Sequence, residues 1–148
     1  MGRIVVGVDG SVPANKALEW AAEEAKIRGA TLEAVCAYHI PTGWFGIDGS
    51  SVLTVPVALD DLERGAKEIL DSAVTKALGT EAGVDMLKTV AVGAPADVLI
   101  EACARADLLV VGNRGHGDLG SVLLGSVGMH CVHHAPCPVV VVRTAKEH

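Results

Sequence analysis

Five aliphatic runs punctuate the chain: Ile4-Val5-Val6-Gly7-Val8, Thr31 to Tyr38, Met86 to Val92, Leu108-Leu109-Val110-Val111 and residues 138–143. They are apolar along most of their length rather than at alternate positions, which fits strands buried on both faces. Helical spacing fills the intervals. After Asp9-Gly10-Ser11, residues Ala14, Ala17, Leu18, Ala21, Ala22 and Ala25 recur at i, i+3, i+4, with Ser11 and Pro13 as cap and first turn and Gly29 as the stop. Leu62, Ala66, Ile69, Leu70, Ala73, Val74 and Ala77 share one face of a second helix over 59–78, closed by Gly79. Pro95 opens a short third helix carrying Ala96, Leu99, Ile100 and Cys103, and a fourth is expected over about 121–134. Strand and helix alternating in this order demand a parallel sheet with helices on both faces, an α/β fold of three layers, α/β/α. Right-handed crossovers leave few topologies, and in open sheets of this kind ligands sit beyond the carboxyl ends of the strands, where the winding reverses. The loops to inspect are therefore Asp9-Gly10-Ser11 and 112–120.

Length and charge narrow the function classes. At 148 residues, 50% hydrophobic and 20% charged, the chain fits a single domain over 1–148. A domain of this size buries roughly 68–70% of its unfolded surface, enough to need neither disulfides nor a structural metal. A formal charge of −6 argues against a basic footprint for nucleic acid or an anionic membrane, and four aromatic residues, Trp20, Tyr38, Trp44 and Phe45, offer no platform for stacked bases. A small anion is still admissible, because helix-start N–H groups bind phosphate without net positive charge. The N-terminal residues lack the pattern of a signal peptide, and no apolar run reaches the ~20 residues of a membrane span. Val6 stands where a myristoylation signal has Ser or Thr. A cytoplasmic protein with reduced cysteines is expected. Residues 39–58, rich in Gly, Ser and Pro, are read as a long loop: a functional flap, closing over a ligand or presenting a partner surface, or a segment holding an unrecognised short element.

The glycine-rich stretch 112–125 admits two readings, tight turning with close helix–sheet packing or phosphate binding. Gly115-His116-Gly117-Asp118-Leu119-Gly120 matches G-x-G-x-x-G, but it follows the fourth strand, and no acidic residue stands about twenty positions on, where Val139 to Val142 lie. Walker A chemistry is unsupported as well, since no Lys precedes Ser126.

The spacing Gly112-x2-Gly115-x9-Gly125-Ser126 resembles the G-2x-G-9x-G-[S/T] motif of the ATP-binding branch of the universal stress proteins. Val5-Val6-Gly7-Val8-Asp9-Gly10-Ser11 looks like that family's opening strand and turn, Val92-Gly93-Ala94-Pro95 like its V-G-x-P, and 134–143 like its closing strand, so the resemblance covers essentially the whole chain. It implies a five-stranded parallel sheet in the order 3-2-1-4-5, ATP bound across strands one and four, and a homodimer paired through strand 138–143. Gly7, Val8 and Ala37 would line the adenine pocket, with Val111 and Val92 nearby, and Asp9 would accept a hydrogen bond from the ribose or base side. Gly112, Asn113 and Gly115 would meet ribose and phosphates. Gly125, Ser126, Val127 and Gly128 would open the fourth helix with N–H groups and a hydroxyl toward the triphosphate. Arg114, His116 and Gly117 complete the implied phosphate loop, with Arg114 and His116 read either as phosphate partners or as solvated side chains. Asp118 either points to solvent or helps to hold Mg²⁺.

His130-Cys131-x-His133-His134-x2-Cys137 lacks the paired knuckles of a zinc site and runs along a helix end, where protonated His favours the dipole. Cys36 and Cys103 read as small core residues. No nucleophile elbow is present. The function expected is a nucleotide-responsive stress-response module with at most weak ATPase activity. The alternatives are a slow Mg²⁺-dependent hydrolase using Asp9 or Asp118, a binder of AMP or cyclic AMP, and a nucleotide-free interaction module. The terminal apolar strand supplies a physical reason to dimerise, since pairing removes an aggregation-prone edge.

Overall fold

The computed structural model describes residues 2–39, 55–81, 83–115 and 124–144, with 55–58 described as backbone only. The elements are β1 (Arg3–Gly7), α1 (Val12–Arg28), β2 (Thr31–Tyr38), α2 (Val55–Leu78), β3 (Met86–Val92), α3 (Pro95–Ala102), a 3₁₀ turn (Cys103–Arg105), β4 (Leu108–Gly112), α4 (Ser126–His134) and β5 (Val139–Val142). The strands form a five-stranded, all-parallel sheet in the order β3-β2-β1-β4-β5. This is the α/β arrangement and strand order expected from the sequence.

Parity along each strand separates the two faces, because successive side chains point to opposite sides. Ile4, Val6, Leu32, Ala34, Leu108 and Val110 meet α1 and α2 through Ala17, Leu18, Ala21, Leu70 and Val74. Val5, Val35, Leu109 and Val111 meet α3 and α4 through Val98, Leu99 and Cys131. Helix α1 begins as its sequence suggests: the Ser11 hydroxyl accepts the Ala14 N–H, and Gly29 ends it in the left-handed conformation at φ 64°. A polar trio lies among the strands near the opposite end of the sheet from the loops singled out above. Glu33 is 8% exposed, accepts Arg3 Nη1 at 3.3 Å and accepts the Thr89 hydroxyl at 2.7 Å, so its carboxylate is buried with partners from both neighbouring strands.

Two helix starts differ from expectation. Helix α2 begins at Val55 rather than 59, because Pro56, read as loop punctuation, is compatible with a first helical turn. Helix α4 begins at Ser126 rather than about 121: Gly125 is extended, with φ −71° and ψ 172°, and its N–H donates to the Asn113 carbonyl at 2.7 Å. Strands β1 and β5 shift or shorten by a residue or so at their ends. Most of the expected flap, 40–54, lies outside the described residues.

Candidate functional site

The winding reverses between β1 and β4. The chain leaves β1 toward α1 on one face and leaves β4 toward α4 on the other, so the carboxyl ends of these neighbouring strands open into a cleft of about 280 Å³. Gly7, Val8 and Asp9 line it from β1, Ala37 from β2, and Val111, Gly112, Arg114 and Gly115 from β4 and its continuation. Gly125, Ser126, Val127 and Gly128 close it from the start of α4. Four stretches of chain far apart in sequence thus meet at the place the sheet topology singles out.

The two helix starts facing the cleft differ. At α1, Ser11 takes the Ala14 N–H and donates its hydroxyl to Asp9 Oδ1, which also accepts the Ser11 N–H at 2.9 Å. That turn is capped by its own side chains, and Asp9 is held rigidly against it. At α4, Gly125 supplies no side-chain cap and the first turn carries no acidic residue. The first helical bond runs from Met129 N–H to the Gly125 carbonyl at 3.0 Å, so the N–H groups of 126–128 precede any intrahelical partner and carry the positive end of the dipole. The cleft therefore pairs an aliphatic wall with an uncapped helix start, chemistry suited to a flat apolar group bearing an anion. Behind the wall, Cys36 is pushed up to about 11, by burial first and by the Asp9 carboxylate second, and stays a neutral thiol near pH 7.

Asn113 departs from its expected place. It is 5% exposed and its side-chain oxygen accepts the Thr144 N–H at 3.3 Å and lies 3.5 Å from the Thr144 hydroxyl, tying the end of β4 to the end of β5 instead of lining the cleft. Arg114 lines the cleft but also gives Nη2 to the Thr144 hydroxyl at 3.1 Å. Val92 is 56% exposed on edge strand β3, away from the lining. A Cβ on Gly112 would sit 2.7 Å from the Pro13 carbonyl group, so the approach of α1 to β4 already requires this glycine, whatever ligand binds. His116, Gly117 and Asp118 lie outside the described residues.

Five lining residues escaped the sequence reading: Ala14, Val35, His39, Pro95 and Leu99. His39 follows β2 directly, and the strand-end rule that flagged the loops after β1 and β4 applies to it equally. Leu99 and Pro95 belong to α3, whose approach to the cleft is a matter of packing. Among the described residues no group of three or more His, Cys, Asp or Glu side chains is placed to hold a metal ion, and no helix is long and apolar enough to cross a membrane.

A family model for the universal stress proteins matches residues 1–143. The chain belongs to the universal stress protein family. A universal stress protein of Mycolicibacterium smegmatis is 38% identical over 141 residues, covering 94% of this chain and 47% of that relative. The chain spans about half the length of this and several other mycobacterial universal stress proteins that it matches. Among solved structures, a universal stress protein in complex with cAMP shares 31% identity at a TM-score of 0.66, over 97% of this chain and 98% of that one. The universal stress protein from Archaeoglobus fulgidus in complex with dAMP shares 25% identity at a TM-score of 0.63, over 96% and 98%.

Proposed function

We propose that residues 1–148 form one adenine-nucleotide-binding domain, with ATP, bound with or without Mg²⁺, as its ligand, acting in the cytoplasm as a nucleotide-responsive stress-signalling module. The observation that carries this reading is the uncapped start of α4 on the cleft wall, at the end of the glycine spacing 112–126. Ala37, Val35, Val111 and Leu99 offer small aliphatic surfaces to an adenine ring, and the N–H groups of 126–128 lie on the side where phosphates would sit. The relatives bound to cAMP and dAMP support the adenine class and keep AMP and cyclic AMP as competing ligands.

Calorimetric titration with ATP, ADP, AMP and cyclic AMP, with and without Mg²⁺, tests it, alongside mass spectrometry of any ligand released from freshly purified protein. Ser126→Pro is the diagnostic variant. Proline is tolerated at the first helical position but removes one N–H and the hydroxyl, so ATP affinity should fall about tenfold while stability holds. Unchanged affinity would show that α4 does not bind the phosphates.

Asp9 on the cleft wall favours one second reading, a slow Mg²⁺-dependent hydrolase. ADP release that needs Mg²⁺ and disappears in Asp9→Asn would establish it; nucleotide recovered intact after hours would dismiss it. The homodimer is proposed through strand 138–143. Strand β5 is the outer strand of the sheet and its four valines are half-buried in the single chain. Two lysines substituted into it should give monomers in sedimentation, and a well-behaved dimer carrying them would place the interface elsewhere.

A further inference from the structure

The solvent side of α4 carries a group of side chains for which the cleft has no use. His130, His133 and His134 are exposed in the second half of the helix, while Cys131 between them is fully buried and packs into the apolar layer with Val5 and Leu109. His130 and His134 are four residues apart in the helix, so they stand one turn above the other on the same side. Their ring centroids are 4.5 Å apart, with the planes tilted by 43°. Facing them, Asp97 in the first turn of α3 brings Oδ1 to 3.7 Å from His130 Nε2.

We propose that His130 and His134 form a two-imidazole site for a divalent transition-metal ion, with the Asp97 carboxylate beside it. The spacing H-x3-H on a helix is the one by which a single turn presents two imidazoles to one ion. The ring separation agrees with it. An ion held about 2.0–2.1 Å from a ring nitrogen lies about 3.2 Å from that ring's centroid, so two imidazoles meeting on it near a right angle have centroids about 4.5 Å apart. The two rings already stand at that distance. His133 does not share the position: its centroid is 6.2 Å from that of His134, and one helical step of about 100° turns it to another side.

The Asp97 distance points the same way. At 3.7 Å it is too long for a hydrogen bond, yet it is close to the roughly 3.4 Å that separates two donor atoms on one tetrahedral ion. The side chains of His130 and Asp97 are 47% and 74% exposed, so an ion and its water ligands can reach the rings and the carboxylate can turn toward them. Among the described residues no three such side chains converge on one point, so the site is an open one. Two imidazoles hold the ion, water fills its remaining positions, and the carboxylate offsets its charge from the outer shell. Imidazole suits zinc, copper and nickel, whereas calcium and magnesium take oxygen ligands, which assigns the ion to the first group. Bound here, it ties the last turns of α4 to the first turn of α3, the two helices that border the cleft.

Calorimetric titration of the full chain with zinc chloride, near neutral pH and without nucleotide, tests the site. His130→Ala and His134→Ala should each weaken zinc binding at least about tenfold, and Asp97→Asn by a smaller factor. His133→Ala, equally exposed on the same helix, should leave it unchanged. All four positions face solvent, so the variants should fold as the parent chain does. In histidine ring-proton spectra, the signals of His130 and His134 should move together as zinc is added. Unchanged affinity in either His130→Ala or His134→Ala, or an equal loss in His133→Ala, would overturn the proposal. So would zinc binding only by chains that double their mass in sedimentation, since the ligands would then lie on two copies.

Discussion

The two faces of the sheet are built from alternate residues of the same strands yet end up with different jobs. On one face lie α1, of 17 residues, and α2, of 24; on the other lie α3, of 8, and α4, of 9. At 1.5 Å per residue a helix of 17 residues runs about 26 Å, the length of an eight-residue strand such as β2, whereas one of 8 or 9 residues covers about half of that. The long helices therefore seal their face, and the short ones leave the carboxyl ends of β1 and β4 bare. Coverage helps explain why most of the cleft wall, Val35, Ala37, Leu99, Val111 and the start of α4, belongs to the α3/α4 side, while the α1/α2 side is largely a closed aliphatic layer.

Truncations sharpen the contrast. Leu18→Ala, in the closed layer and fully buried, should cost about 3 kcal/mol in urea unfolding, because the surrounding alanines and valines cannot collapse onto the void. Leu99→Ala, whose side chain borders the cleft, should cost about half as much and weaken ligand binding as well. Equal losses at the two sites would mean that the faces are equally closed. Gly112→Ala, pressing a methyl onto the Pro13 backbone, should cost about 2 kcal/mol by the same measurement, with Tm falling whether or not nucleotide is present.

The smallest effect is common to the two faces and appears with pH. Cys36 on the α1/α2 side and Cys131 on the α3/α4 side are both raised from 9.0 to about 11. The fold keeps these thiols protonated while the unfolded chain releases its protons first. Their stabilising contribution is thus complete below about pH 9 and is lost progressively as pH rises toward 11. Cys131→Ala should reduce that alkaline slope by about 1 kcal/mol per pH unit, and Cys36→Ala by a similar amount. Parallel urea series at several pH values would show it, and an unaltered slope in both variants would place the alkaline sensitivity elsewhere.

Signals spanning a few residues were legible in the sequence. The Ser11 cap, the Gly29 stop, Pro95 at the head of α3 and the apolar runs of β2 and β3 all stand where periodicity and capping put them, because each depends on neighbours within a turn or a strand. The glycine spacing and the closing strand were enough to indicate the family and its strand order. Contacts across long stretches of chain were not legible. Asn113 bonds Thr144, 31 residues away, instead of facing the cleft, and Glu33 is buried against Thr89, 56 residues away. The start of α4 follows the same rule, since it depends on the Gly125 N–H reaching the Asn113 carbonyl once β4 is in the sheet. The sequence by itself determined which segments become strand and helix and in what order, through patterns local in the chain. Which side chains face the cleft, why Gly112 must be glycine, and why Asn113 turns to Thr144 were decided only by tertiary packing, because each depends on the distance between segments that nothing local in the sequence sets.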